Sequence, residues 1–131
     1  MPKSRLQRLP VLIAEDNKVN QRLLQLMLKH LGYTTVAVEN GLEACGRLAR
    51  TSFSLIFMDI QMPVMNGLDA TREIRATIPE SQQPFIIGVT GSQIKRADCL
   101  EAGMDEYVPK PIDLQRLHLL LRKLENRCQV A

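Results

Sequence analysis

The chain has 131 residues, enough for one domain with its own core and too few for two comfortable ones. Hydrophobic residues at 45% and charged residues at 24% are ordinary globular values, which excludes a disordered chain. Aromatics at 4%, the absence of tryptophan and a net charge of +3 argue against a base-stacking nucleic-acid surface and against an obligatory polyanionic partner.

Met1 to Pro10 carries Lys3, Arg5 and Arg8, with no apolar block behind them that could act as a signal peptide, so a cytoplasmic location is expected. No apolar run approaches the roughly 20 residues that span a bilayer, and no membrane contact by this segment is expected. Leu9 to Ala14 then reads as a buried strand that stops at Glu15-Asp16-Asn17. From Lys18 to Leu31 the period changes. Val19, Leu23, Leu26, Met27 and Leu31 recur at helical spacing, and Gly32 follows as a stop. Thr34 to Val38 is β-branched and brief, a second strand, and Leu42 to Ala49 forms a second helix after Asn40-Gly41.

Leu55 to Met58 is the third strand. Its apolar run delivers Asp59 to a loop broken by Met62-Pro63 and Asn66-Gly67. Leu68 to Thr77 reads as a third helix, with Ala70, Ile74 and Ile78 on one face and Pro79 closing it. Phe85 to Val89 is a fourth strand ending at Thr90-Gly91-Ser92. A weaker helix runs from about Gln93 to Ala102 and stops at Gly103. Glu106 to Val108 is a fifth strand, cut by Pro109-Lys110-Pro111. Asp113 caps a last helix reaching about Asn126, with Leu114, Leu117, Leu120, Leu121 and Leu124 as its stripe. Cys45, Cys99 and Cys128 are far apart, lack C-x-x-C spacing, and read as plain thiols.

Strand and helix alternate throughout, the pattern of a parallel α/β sheet covered by helices on both faces. Ligands of such sheets bind outside the carboxyl ends of the strands. The residues there are Glu15, Asp16, Asp59, Thr90 and Lys110: three carboxylates, a hydroxyl and an amine. Three carboxylates brought together stay ionised only if a cation compensates them. Magnesium fits, since it takes oxygen ligands and keeps positions open for phosphate oxygens. Lys110 and Thr90 can hold phosphoryl oxygens, and a phosphoryl group can be transferred to the carboxylate of Asp59. A flavin phosphate fits less well, because the first loop offers acids where backbone amides and glycines would be wanted.

Four stretches carry a resemblance: V-L-I-A-E-D-N-K-V-N-Q, M-D-I-Q-M-P-V-M-N-G, V-T-G-S and G-M-D-E-Y-V-P-K-P. Together they resemble the receiver domain of two-component response regulators, most closely the receivers of hybrid sensor histidine kinases, over about Val11 to Leu124. The resemblance implies a flavodoxin-like (βα)5 doubly wound sheet of strand order 2-1-3-4-5. It implies that Asp59 accepts a phosphoryl group from a phosphohistidine, with Asp16 and Asp59 on Mg2+ (or Mn2+), Glu15 acting through water, and Gln61 lending its backbone carbonyl. Thr90 and Tyr107 match the switch pair that reshapes the surface, and Lys110-Pro111 matches a cis bond. Gln61 and Ser92 fall where the family tunes dephosphorylation. Gly91 stands where alanine is frequent, which keeps access open.

The implied partners are a histidine kinase or a histidine phosphotransfer domain, with weak or no homodimer. The expected layout is a lead over 1–9, a receiver over 10–127 and a tail over 128–131. No DNA-binding element is expected after the fifth helix. The lead looks like a linker, which favours a receiver excised from a larger sensor kinase, soluble or membrane-bound, over a stand-alone regulator. Two other functions compete: a receiver that only docks partners, and an aspartyl-phosphate phosphatase of the haloacid dehalogenase type. The phosphatase needs a second acid two residues past the nucleophile, where this chain has Gln61.

Overall fold

The structure, a computed structural model, describes residues 4–91 and 94–130, the side chains of 128–130 excepted. Five parallel strands form one sheet: β1 (Val11–Ala14), β2 (Thr35–Val38), β3 (Leu55–Asp59), β4 (Phe85–Thr90) and β5 (Glu106–Pro109), in the order β2-β1-β3-β4-β5. Five helices connect and follow them: α1 (Lys18–His30), α2 (Gly41–Leu48), α3 (Gly67–Thr77), α4 (Arg96–Ala102) and α5 (Leu114–Val130). The expected α/β architecture and strand order are those observed.

Alternate residues of each strand face opposite layers, as the two-residue period of a strand requires. Val11, Ile13, Leu55, Phe57, Ile87 and Val89 pack under α1 and α5, against Leu24, Leu28, Leu117 and Leu121. Leu12, Ile56, Met58 and Ile86 pack on the other side, against Ala44, Leu48, Ala70, Ile74 and Cys99 of α2, α3 and α4. Because β3 is buried on both faces, it reads as the unbroken apolar run that ends at Asp59.

Helix ends follow local chemistry. Asn17, Asn40 and Asn66 each accept from a backbone N–H three residues on, capping α1, α2 and α3. Asp113 does the same for α5 through Arg116 N at 2.7 Å. Gly103 ends α4 with φ of +113°, a conformation that residues with a Cβ rarely adopt.

Several boundaries differ from the sequence reading. β1 begins at Val11, since Leu9 is left 40% exposed. α4 begins at Arg96, while the expected start near Gln93 lies outside the described residues. α5 continues to Val130, and Leu114 at its start is exposed. The larger difference concerns α1. Val19, Leu23 and Leu26 are 68%, 53% and 47% exposed, and the buried pair is Leu24 and Leu28. Of the stripe read from periodicity, Met27 and Leu31 do pack against the core while Val19, Leu23 and Leu26 face outward, because the helix is apolar on two faces and periodicity alone does not separate them.

The basic lead is also more than a linker. Leu6–Arg8 forms a short 3-10 turn, and Leu6, 2% exposed, enters the core under α1 and α5. Ser54 Oγ donates to Leu6 O at 2.8 Å, and Ser4 Oγ donates to Glu125 Oε1 at 2.5 Å. The lead thus closes the end of the sheet opposite Asp59.

Candidate functional site

Glu15 directly follows β1, Asp59 ends β3, Thr90 ends β4 and Lys110 directly follows β5, so one edge of the sheet gathers them all. Glu15, Asp59 and Thr90 are buried, at 6%, 4% and 5% exposure, and Asp16 is exposed at the mouth. One carboxylate oxygen from each of Glu15, Asp16 and Asp59 lies within 4.8 Å of the others, a grouping able to hold a metal ion. Three hard oxygen donors, one of them open to water, suit magnesium, which keeps part of its hydration shell.

Lys110 Nζ stands 3.1 Å from Glu15 Oε1 and 3.1 Å from Asp59 Oδ2. Burial alone would push the ammonium down, but the hydrogen bonds and charges of Asp59 and Glu15 outweigh it and hold Lys110 above its ordinary value of 10.5. Lys110 is fixed from its backbone as well, since its N–H donates to Thr90 O at 2.7 Å. The Lys110-Pro111 bond is cis, as the resemblance implied.

Each acid is oriented by neighbouring main chain. Asn17 N donates to Glu15 Oε2 at 3.1 Å, and Gln61 N donates to Asp59 Oδ1 at 3.3 Å. The loop after β3 folds back on the strand, with Gly67 N donating to Ile60 O at 2.9 Å. A Cβ at Gly67 would collide with the backbone of Asp59 and Ile60, so only glycine lets the start of α3 lie against the reactive strand. Among the described residues a Cβ at Gly91 would meet nothing within 4 Å, so alanine would fit there as well.

Thr90 and Tyr107 share the sheet face under α4. Tyr107 pairs in register with Gly88, two residues before Thr90, and is half-buried against the cluster that contains Met104 and Cys99. Gln61 is exposed beside the acids. Ser92, the other position singled out for dephosphorylation, lies outside the described residues.

Two features escaped the sequence reading. A cavity of about 290 Å³ runs from Glu15, Asp59 and Lys110 between α1 and the segment after β5, where Leu23, Met27 and Ile112 line it. Gln21, one turn into α1, reaches back to the strand ends. Its marks in the sequence are its place four residues after the capping Asn17 and its position at the end of the V-L-I-A-E-D-N-K-V-N-Q stretch.

The fold has counterparts among known proteins. The response regulator receiver domain family matches residues 11–122. The sensor protein GacS of Pseudomonas syringae pv. syringae is 37% identical over 117 residues, covering 86% of this chain and 13% of GacS, so the chain spans a small part of that relative. The receiver domain of sensor histidine kinase PA1611 from Pseudomonas aeruginosa PAO1, solved with a magnesium ion coordinated in its active-site cleft, superposes with a TM-score of 0.81 at 37% identity, covering 90% of this chain and 98% of that one. A receiver domain solved with a histidine phosphotransfer protein, the Ssk1–Ypd1 complex of Saccharomyces cerevisiae, superposes with a TM-score of 0.75 at 30% identity, covering 88% of this chain and 85% of that one. With a matched span running from the first residue of β1 well into α5, the chain belongs to the response regulator receiver domain family, the phosphorelay modules of two-component signalling.

Proposed function

We propose that Asp59 is the phosphoacceptor of this receiver and takes its phosphoryl group from a phosphohistidine. The observation that carries the reading is the placement of the Lys110 ammonium between Asp59 and Glu15, with Asp16 completing a three-acid cluster. In the transfer an Asp59 carboxylate oxygen forms a bond to phosphorus as the phosphorus–nitrogen bond of the donor breaks. The electron pair stays on the imidazole nitrogen, which then takes up a proton. Lys110 neutralises charge beside the attacking carboxylate, and the Thr90 hydroxyl is placed at the same edge to donate to a phosphoryl oxygen.

A bound magnesium ion, or manganese in its place, would draw the charge of the phosphoryl oxygens and lower the repulsion of the acids. Asp16 and Asp59 would hold it directly, with the Gln61 carbonyl, and Glu15 through water. Thr90 and Tyr107 form the switch pair, and Gln61 and Ser92 set the rate at which water removes the phosphoryl group. The receiver unit is assigned to residues 10–127, with Leu6 of the lead packed into its core and α5 running on into the tail, in the cytoplasm.

The partner is a histidine kinase or histidine phosphotransfer protein. The exposed Val19, Leu23 and Leu26 stripe of α1 lies beside the cavity that reaches Asp59, which supports α1 as the surface that receives it. Weak or no self-association accompanies this reading.

The test is incubation with acetyl phosphate and magnesium, followed by intact mass measurement. The wild type should gain one phosphoryl group, and Asp59→Asn none. No added mass on the wild type, under conditions that preserve acyl phosphates, would defeat the proposal. Turnover of small phosphomonoesters would favour the dehalogenase-type phosphatase instead.

A further inference from the structure

Glu15 follows the last residue of β1, where the ladder is running out. Its N–H still donates to Val38 O of the edge strand β2, at 3.0 Å. Its carbonyl takes a hydrogen bond from a side chain instead: Gln21 Nε2 donates to Glu15 O at 3.0 Å. The same nitrogen also reaches Val38 O at 3.3 Å. A primary amide has two N–H groups, so one side chain of α1 ties together the ends of β1 and β2.

The consequence falls on the acids. The Glu15 carboxylate is held by Asn17 N and Lys110 Nζ, both at 3.1 Å, while Gln21 holds the main chain of the same residue. Asp16 is the next residue, and the direction in which it leaves the sheet is set by that peptide. A metal site depends on such outer partners, because ligands that must first be ordered bind more weakly.

We propose that Gln21 is a positioning residue for the divalent-cation site, acting through the backbone of Glu15 to preorganise Glu15 and Asp16. This rests on the reading of Glu15, Asp16 and Asp59 as that site. The molecule contains its own control. Gln25, one turn further along the same face of α1, donates to Thr35 Oγ1 at 3.4 Å and so braces β2 without touching the acid loop. A role limited to holding α1 on the sheet would make the two glutamines alike.

Magnesium titrations by calorimetry on the full chain, with amide hydrogen exchange by NMR, compare wild type, Gln21→Met and Gln25→Met. Methionine keeps the bulk of glutamine and removes its donors. Gln21→Met should weaken magnesium binding about tenfold and speed amide exchange at Asp16 and Asn17. Gln25→Met should leave both unchanged. Gln21→Asn, which keeps the amide but shortens its reach, should move both readouts in the same direction and serves if the methionine variant does not fold. Unchanged magnesium affinity in a folded Gln21 variant, or an equal loss in Gln25→Met, would overturn the role of Gln21 alone. A wild type without saturable magnesium binding would overturn the site reading and this inference together.

Discussion

Lys110 Nζ and Asp59 Oδ2 lie 3.1 Å apart, an ion pair spanning 51 residues of sequence. The pair forms where a carboxylate at 5% side-chain exposure would otherwise face a second one, Glu15 at 8%. Lys110→Met removes the compensating charge and leaves both acids buried. In the presence of a chelator the variant should lose about 1–2 kcal/mol of stability by denaturant unfolding, the usual cost of an orphaned buried charge discounted for the partial exposure of the lysine. Added magnesium should recover stability in the variant by more than it stabilises the wild type. Equal stability of the two proteins in chelator would refute the compensating role.

The same pair sets an alkaline limit. The ammonium of Lys110 is held above 10.5 in the folded chain, so the folded state binds the proton more tightly than the unfolded one. The stabilisation is complete below 10.5 and disappears as pH climbs through the folded value. Unfolding free energy should therefore carry no Lys110 contribution to its slope between neutrality and about pH 10.5, and decline above it. Comparison with Lys110→Met isolates the effect: the variant's curve should lack that part of the decline, and superimposable alkaline limbs would count against it.

The exposed stripe of α1 predicts a split between two phosphodonors. Val19→Asp places a charge on a side chain that is already 68% exposed and does not line the cavity reaching Asp59, so folding should be unaffected. Transfer from a phosphohistidine protein should fall about tenfold, equivalent to about 1.4 kcal/mol of contact, while labelling by acetyl phosphate should not change. Stopped-flow or gel-based transfer assays with both donors would show it. A parallel fall for both donors would place Val19 in the chemistry rather than in docking.

Leu6 gives a prediction at the other end of the sheet. Leu6→Ala should cost about 2–4 kcal/mol, the range for truncating a buried leucine, and should leave magnesium affinity unchanged. Chemical denaturation and cation titration of the same samples would separate the two effects. A loss of under half a kilocalorie would mean that the lead is only laid on the surface.

Much of this molecule was legible because a parallel sheet turns sequence into geometry. Asp59 was visible as the end of an apolar run, and Glu15, Asp16, Thr90 and Lys110 could be collected once every strand was assigned the same direction. Two kinds of information were missing. Periodicity does not say which of two apolar faces is inside, and α1 offered both Leu24 with Leu28 and Val19 with Leu23 and Leu26. Composition does not reveal a single leucine that docks from outside the regular elements, so in the sequence Leu6 looks no different from its basic neighbours. Gln21 was hidden for a related reason: its significance lies in a carbonyl at the end of β1, and a backbone group leaves no mark in the sequence.

The strand order has a mechanical meaning. β3 has a hydrogen-bonded neighbour on each side, β1 and β4, whereas β5 has β4 alone. Asp59 is therefore mounted on a strand braced from both sides, and Tyr107 on a margin braced from one. A load placed on the acceptor will deform the margin first. The centre would then serve as a fixed abutment, with displacement passed outward to an edge strand, of which β5 is one.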